Sequence, residues 1–175
     1  LFQVINNSGQ NVITRLDRMF DEGLYWHGNE PCHQIAYLYN KAGAPWKTQQ
    51  RIHHILNTEY NDTPGGLSGN DDAGQMSAWY VLAAAGIHPI CPGDGRYEIT
   101  SPVFDRVEFR LDPAYAAGGS FVIEARDNSP ENIYIQSATL NGKKYDKCYL
   151  THDDLAAGGT LVLQMGVKPS DWGKD

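Results

Sequence analysis

Apolar residues recur at helical spacing from Val12 to about Ala85 and then in short alternating runs from about Cys91 onward, so the chain changes class near Ile87–Pro92. In the first half, NVITRLDRMFDEGLY sets Val12, Leu16 and Phe20 on one stripe and offers Gly23 as a stop, which predicts an amphipathic helix. The segment EPCHQIAYLYNKAG opens on Pro31, suited to a first helical position, and closes on Gly43, which predicts a second helix. A third, APWKTQQRIHHILNTEY, turns Ile52, Ile55 and Leu56 inward and stops before the turn-rich NDTPGGLSGN. The fourth, AGQMSAWYVLAAAG, is apolar nearly all round and is expected to be buried on most sides.

The second half reads as strands: RYEIT, RVEFRL, SFVIEA, IYIQSATL and TLVLQM, rich in Val, Ile, Tyr and Phe and separated by glycine-bearing turns. Asn141–Gly142 is a strong hairpin signal, and Asp127, Asn128, Asn132 and the His152–Asp154 run read as polar turn residues. The expected fold class is therefore α+β. Residues 1–88 supply paired helices of the kind found in an α/α toroid or bundle, and residues 89–175 form a β-rich segment, an antiparallel sandwich or part of one. Four helices are too few to close a toroid, and LFQVINNSGQ opens without a cap or leader, so the expectation is the C-terminal portion of a longer protein.

Composition narrows the function. With 175 residues, 41% of them hydrophobic, the chain can bury a sizeable core without metals or disulfides. A net charge of −7 with no Lys/Arg cluster argues against nucleic-acid partners and against anionic membrane surfaces. No apolar run approaches the roughly 20 residues of a membrane span, so membrane insertion is not expected. Cys32, Cys91 and Cys148 show no metal-ligand spacing and read as buried or incidental thiols, with a Cys91–Cys148 pair as the alternative.

Two loops place acids and amides at helix starts: HGNEP, His27 to Pro31, and GNDDAGQ, Gly69 to Gln75. With Pro31 first in its helix the cap falls on Glu30, an unusual cap, which either complements the helix dipole or serves chemistry. Asp72-x-x-Gln75 is nearly a capping box, so Asp72 is either a cap or a functional acid; capping leaves Asn70 and the adjacent Asp71 unexplained. Paired carboxyl groups are what glycoside hydrolysis needs, one as acid and one to activate water or attack the sugar. Tyr25, Trp26, Trp46 and Trp79 lie near these loops in sequence; Trp26 is the better sugar-stacking candidate and helical Trp79 the better core residue. His53–His54 lacks a His-Glu metal motif, and Ser68 and Ser77 lack a nucleophile elbow.

HGNEPCHQIAYLYNKAGAPWKTQ followed by GLSGNDDAGQMSAWYVLAAAGIHPICPG resembles the C-terminal part of glycoside hydrolase family 92, the calcium-dependent α-mannosidases of bacteria. YEITSPVFDRVEF, NIYIQSATLNGK and THDDLAAGGTLVLQMG resemble its closing segments, so the likeness runs from about Val12 to Gly173. It implies an exo-acting, inverting mannosidase of the α-1,2-mannosidase kind, whose (α/α)6 toroid packs against a β-sandwich domain and which acts on mannose-containing glycans in the periplasm or outside the cell. It also implies that Asp72 is the general base with Asp71 as the alternative, and that the general acid lies upstream of Leu1, in the remainder of the same protein. Glu30, with Asn29 and Gln75, becomes a calcium ligand, and Trp26, His27, Glu30 and His33 contact the sugar. Where many relatives carry a second histidine, this chain has Gln34 after His33, which bears on linkage preference. The alternative is a carbohydrate-binding or structural module without catalysis.

Overall fold

In the computed structural model, which describes residues 9–174, the helical half contains α1 (Gly9–Asp21), α2 (Leu38–Lys41), α3 (Pro45–Thr58) and α4 (Gln75–Ala85). The opening LFQVINNS lies outside the described residues. In α1, Val12 and Leu16 are buried as their spacing predicts, and Gly23 takes φ +66° just beyond the helix end, a conformation that favours glycine. α3 likewise buries Ile52, Ile55 and Leu56.

The helix predicted over Pro31–Gly43 is broken into two 3₁₀ turns, Glu30–Cys32 and Ile35–Tyr37, before the single turn of α2. The cause is tertiary. The carbonyl of His33, which an α-helix would offer to Tyr37, accepts instead from the Trp79 indole N–H at 3.0 Å, and the Tyr37 amide turns to Gln34. Glu30 is consequently the first residue of a 3₁₀ turn whose cap is Asn29, and not itself a cap. α4 also departs from expectation: Met76, Trp79 and Ala83 are buried, but Tyr80 and Val81 on the opposite side are exposed, Val81 to 64%.

The β half holds two sheets. Strands β1 (Ile87–His88), β2 (Arg96–Ile99) and β7 (Tyr149–Thr151) form an antiparallel three-stranded sheet. The second sheet has the order β3-β4-β8-β5-β6, from β3 (Arg106–Arg110), β4 (Ser120–Arg126), β5 (Tyr134–Leu140), β6 (Lys143–Lys144) and β8 (Gly159–Gly166). It is not wholly antiparallel, because β4 and β8 pair in parallel. The last strand inserts between β4 and β5, and a strand placed between two antiparallel arms must run parallel to one of them. Phe121, Ile123, Leu161, Leu163 and Met165 alternate inward and meet Ile87, Ile99 and Leu150 of the other sheet in one core. Asn141 and Gly142, at φ +51° and +78°, form the expected two-residue hairpin between β5 and β6. The His152–Asp154 run is a helix start, α5 (His152–Ala156), where Thr151 and Asp154 complete a reciprocal capping box. None of the three cysteines forms a disulfide; Cys32 is buried and Cys91 exposed.

Buried polar contacts tie the helices to the sheets. Asn40 donates to Glu98 Oε2 and to the carbonyls of Ile99 and Cys148, and Lys41 pairs with Glu98 Oε1 at 2.6 Å. Gln49 of α3 accepts from the Ile135 amide beside the bulge in β5. His88 is buried against the Tyr37 ring, with no hydrogen-bond partner for its Nδ1 among the described residues. Burial, and then the neighbouring His33, lowers its pKa to about 4. Between pH 6.5 and 4 the unfolded chain takes a proton that the folded one refuses, so stability is expected to fall with acidification by about 1.4 kcal/mol per pH unit. Urea melts of wild type and His88→Phe check this: the variant should lose part of the acid sensitivity, and identical pH dependence in both would remove His88 as its source.

Candidate active site

The loop joining α1 to α2 and the loop joining α3 to α4 meet backbone to backbone at Gly28 and Gly69. A Cβ at Gly69 would stand 2.4 Å from the Gly28 carbonyl oxygen, and one at Gly28 would stand 2.6 Å from the Ser68 carbonyl and from the Trp26 ring. Neither approach leaves room for a side chain. This contact sets HGNEP against GNDDAGQ, the two motifs singled out by sequence, although about 40 positions separate them. Gly28 and Gly69 drew no attention as a pair because each looks like an ordinary loop glycine.

The two acids of GNDD have different tasks. Asp71 Oδ1 accepts from the Ser77 amide at 2.9 Å and from the Ser77 hydroxyl at 2.8 Å, so it satisfies the first turn of α4. The suspected capping box at Asp72 does not form, because Asp72, Ala73 and Gly74 are all left-handed, at φ +50°, +57° and +97°, and α4 starts only at Gln75. For Asp72 and Ala73 this conformation costs on the order of 1 kcal/mol each, a strain that surrounding contacts must sustain. It carries the Asp72 side chain clear of the helix end: Asp72 is exposed and makes no side-chain hydrogen bond or ion pair among the described residues.

His27 and His33, expected above as sugar contacts, are both fully buried among the described residues. His27 Nδ1 lies 2.7 Å from the Tyr25 hydroxyl and its Nε2 lies 2.7 Å from the Tyr60 hydroxyl. His33 Nε2 donates to the His27 carbonyl at 3.0 Å. Burial, followed by the proximity of His33 and His88, lowers the His27 pKa to about 3, which keeps the ring neutral at physiological pH. Burial likewise raises the hydroxyl pKa of Tyr25 and of Tyr60. Trp79 is fully buried at the centre of this cluster, its ring edge-on to His27 at 4.3 Å. Tyr60 and Tyr25 as polar partners were missed in sequence, because hydrogen bonds between distant positions leave no periodic signal.

Outside this buried layer stand Trp26, exposed to 57%, and the exposed Asn29 and Glu30. Glu30 makes no side-chain hydrogen bond or ion pair among the described residues. Gln75 directs its amide nitrogen toward His33 Nδ1 at 3.5 Å. Trp46 sits in the first turn of α3, about 20 Å of helix away from the Tyr60 end, and does not join the site. Among the described residues no three His, Cys, Asp or Glu side chains converge as a metal centre. Calcium takes roughly six to eight oxygens; the exposed oxygens of Asn29 and Glu30 fit a part of such a shell and not the whole.

Residues 2–167 match the glycosyl hydrolase family 92 catalytic domain. A family GH92 α-mannosidase from Bacteroides thetaiotaomicron superposes with a TM-score of 0.88 at 40% identity, covering 97% of this chain and 23% of that one. The family GH92 inverting mannosidase structure from the same organism gives 0.88 at 35% identity, covering 99% of this chain and 26% of its own. A protein of Arthroderma benhamiae described as an uncharacterized secreted glycosidase is 37% identical over 161 residues, 92% of this chain and 21% of that protein. The chain thus spans about a quarter or less of the relatives it matches.

Proposed function

The chain belongs to glycosyl hydrolase family 92, and from that premise we propose that it forms the C-terminal, base-bearing part of an inverting exo-α-mannosidase acting on α-1,2-linked mannose with the help of calcium. The observation that carries this is the division of labour in GNDD: Asp71 is committed to α4, and Asp72 is held exposed and unengaged among the described residues. A general base needs such a carboxylate. Asp72 accepts a proton from water as that water attacks the anomeric carbon on the face opposite the leaving oxygen. The general acid comes from another part of the protein, roughly 6.5–9.5 Å from the base, which leaves room for the water.

Trp26 offers an exposed ring face for sugar stacking beside Glu30. Asn29 and Glu30, with Gln75 as a further amide, hold part of a calcium shell, and the ion when bound fixes sugar hydroxyls. In this reading the helices of residues 9–85 belong to an (α/α)6 toroid, and His27 and His33 position the site rather than touch substrate. The relative described as an inverting mannosidase supports the stereochemistry, a further structure of the 40%-identical Bacteroides thetaiotaomicron α-mannosidase, in complex with mannoimidazole, supports mannose recognition, and the relative described as a secreted glycosidase supports action outside the cytoplasm.

The test is mannose release from an α-1,2-linked mannobiose by the full-length natural protein, with calcium and with EDTA. Release that EDTA abolishes and calcium restores is expected, and the 175-residue chain alone is expected to release none, because the acid lies outside it. Activity in the isolated chain would refute the split of acid and base. No release by the full protein from any α-mannoside would turn the reading toward a carbohydrate-binding module.

A further inference from the structure

We infer that Tyr60 is a positioning residue that locks the Glu30 loop and the Asp72 loop into one unit through a hydrogen-bond chain; its catalytic consequence rests on the mannosidase reading above. The Tyr60 hydroxyl lies 3.1 Å from the Met76 carbonyl and 2.7 Å from His27 Nε2. The hydroxyl donates to the Met76 carbonyl, and in the imidazole tautomer protonated at Nε2 its oxygen accepts from His27 while Nδ1 accepts from the Tyr25 hydroxyl at 2.7 Å. The contacts run from Tyr25 through His27 and Tyr60 to Met76.

The ends of this chain are what matter. Tyr25 adjoins Trp26, and His27 opens the loop that carries Asn29 and Glu30; the His27 backbone is held as well, its carbonyl accepting from His33 Nε2. At the far end, the Met76 amide donates to the Asp71 carbonyl at 3.1 Å, one residue before Asp72. Tyr60 also bridges Leu67 backbone to backbone, which pins the entry of the GNDD loop. Its ring lies parallel to Trp79, at 4° and 6.0 Å between centroids, and aims the hydroxyl between the two loops. Beyond this chain, the described residues join the two segments through the Gly28–Gly69 contact, the weak Gln75–His33 bond and the Trp79 indole, which donates to the His33 carbonyl and packs on the His27 ring. A base that activates water must be held to a fraction of an ångström, so losing the chain costs turnover before it costs binding.

Tyr60→Phe in the full-length enzyme keeps the ring and its stacking but removes the hydroxyl that joins His27 Nε2 to the Met76 carbonyl. We expect kcat to fall about 10-fold with KM changed less than about twofold, measured well below the melting transition. Backbone hydrogen exchange, followed by mass spectrometry, should rise together in segments 26–30 and 70–76. Tyr25→Phe should lower kcat in the same direction, and the double variant should fall no further than Tyr60→Phe alone, because the chain works as one unit. An unchanged kcat with only a lower melting temperature would reduce Tyr60 to a packing residue, and exchange rising in one segment alone would refute the coupling. If the wild-type enzyme cleaves no α-mannoside, the mannosidase reading fails, and the exchange experiment still decides whether Tyr60 couples the loops.

Discussion

Asp72→Asn in the full-length enzyme is expected to lower kcat by at least about 10²-fold while KM for the mannobiose changes little, because the amide cannot take a proton from the attacking water. The fold makes this a clean substitution. Asp72 caps nothing and pairs with nothing among the described residues, and Asn tolerates the left-handed backbone that Asp72 adopts. Asp71→Asn is the contrast: it weakens the Ser77 contacts that close the first turn of α4, so it should cost on the order of 1 kcal/mol of stability. Azide needs no base to attack, so it should restore product formation in Asp72→Asn as the inverted β-mannosyl azide. Near-wild-type turnover in Asp72→Asn would remove this residue from the mechanism.

Lys41→Met is expected to destabilise the protein by about 2–3 kcal/mol, since removing the partly exposed cation strands a carboxylate that is itself buried. The Glu98 side chain is 1% exposed, and Lys41 is its cationic partner at 2.6 Å, while Asn40 holds the other carboxylate oxygen at 3.0 Å. The site joins α2 to β2, so the helical half would loosen from the three-stranded sheet. The double variant Lys41→Met/Glu98→Gln should recover much of the loss, because the carboxamide is uncharged and can keep the Asn40 contact. Urea denaturation of the three proteins measures this; a single variant as stable as wild type would mean that the stranded carboxylate finds another partner.

Much of the fold is legible in the chain because its determinants are local. The Val12, Leu16, Phe20 stripe made α1, alternation made β4 and β8, and Asn141–Gly142 made the hairpin. The failures share a cause. The helix expected after Pro31 is interrupted by an indole N–H from 46 positions away, and the parallel β4–β8 pair arises from an insertion of the last strand that no local pattern encodes. His152–Asp154 was misread for a smaller reason, since a capping box and a polar turn use the same residue types.

For the site, the sequence by itself determined which chemistry is available: HGNEP and GNDDAGQ supply carboxylates and amides in a family-specific order, and Trp26 just ahead of the first supplies an indole. Only the tertiary structure decided how they are used. Two glycines pressed backbone to backbone bring the motifs together, and a run of left-handed residues starts α4 late enough that Asp71 becomes its cap and Asp72 is left exposed. The tertiary structure also buried His27 and His33 completely, which no local pattern announced. The physical reason is range: periodicity and capping act over a few neighbouring residues, whereas a hydrogen bond such as His27 to Tyr60 joins positions 33 apart and is fixed only when the chain has folded around it.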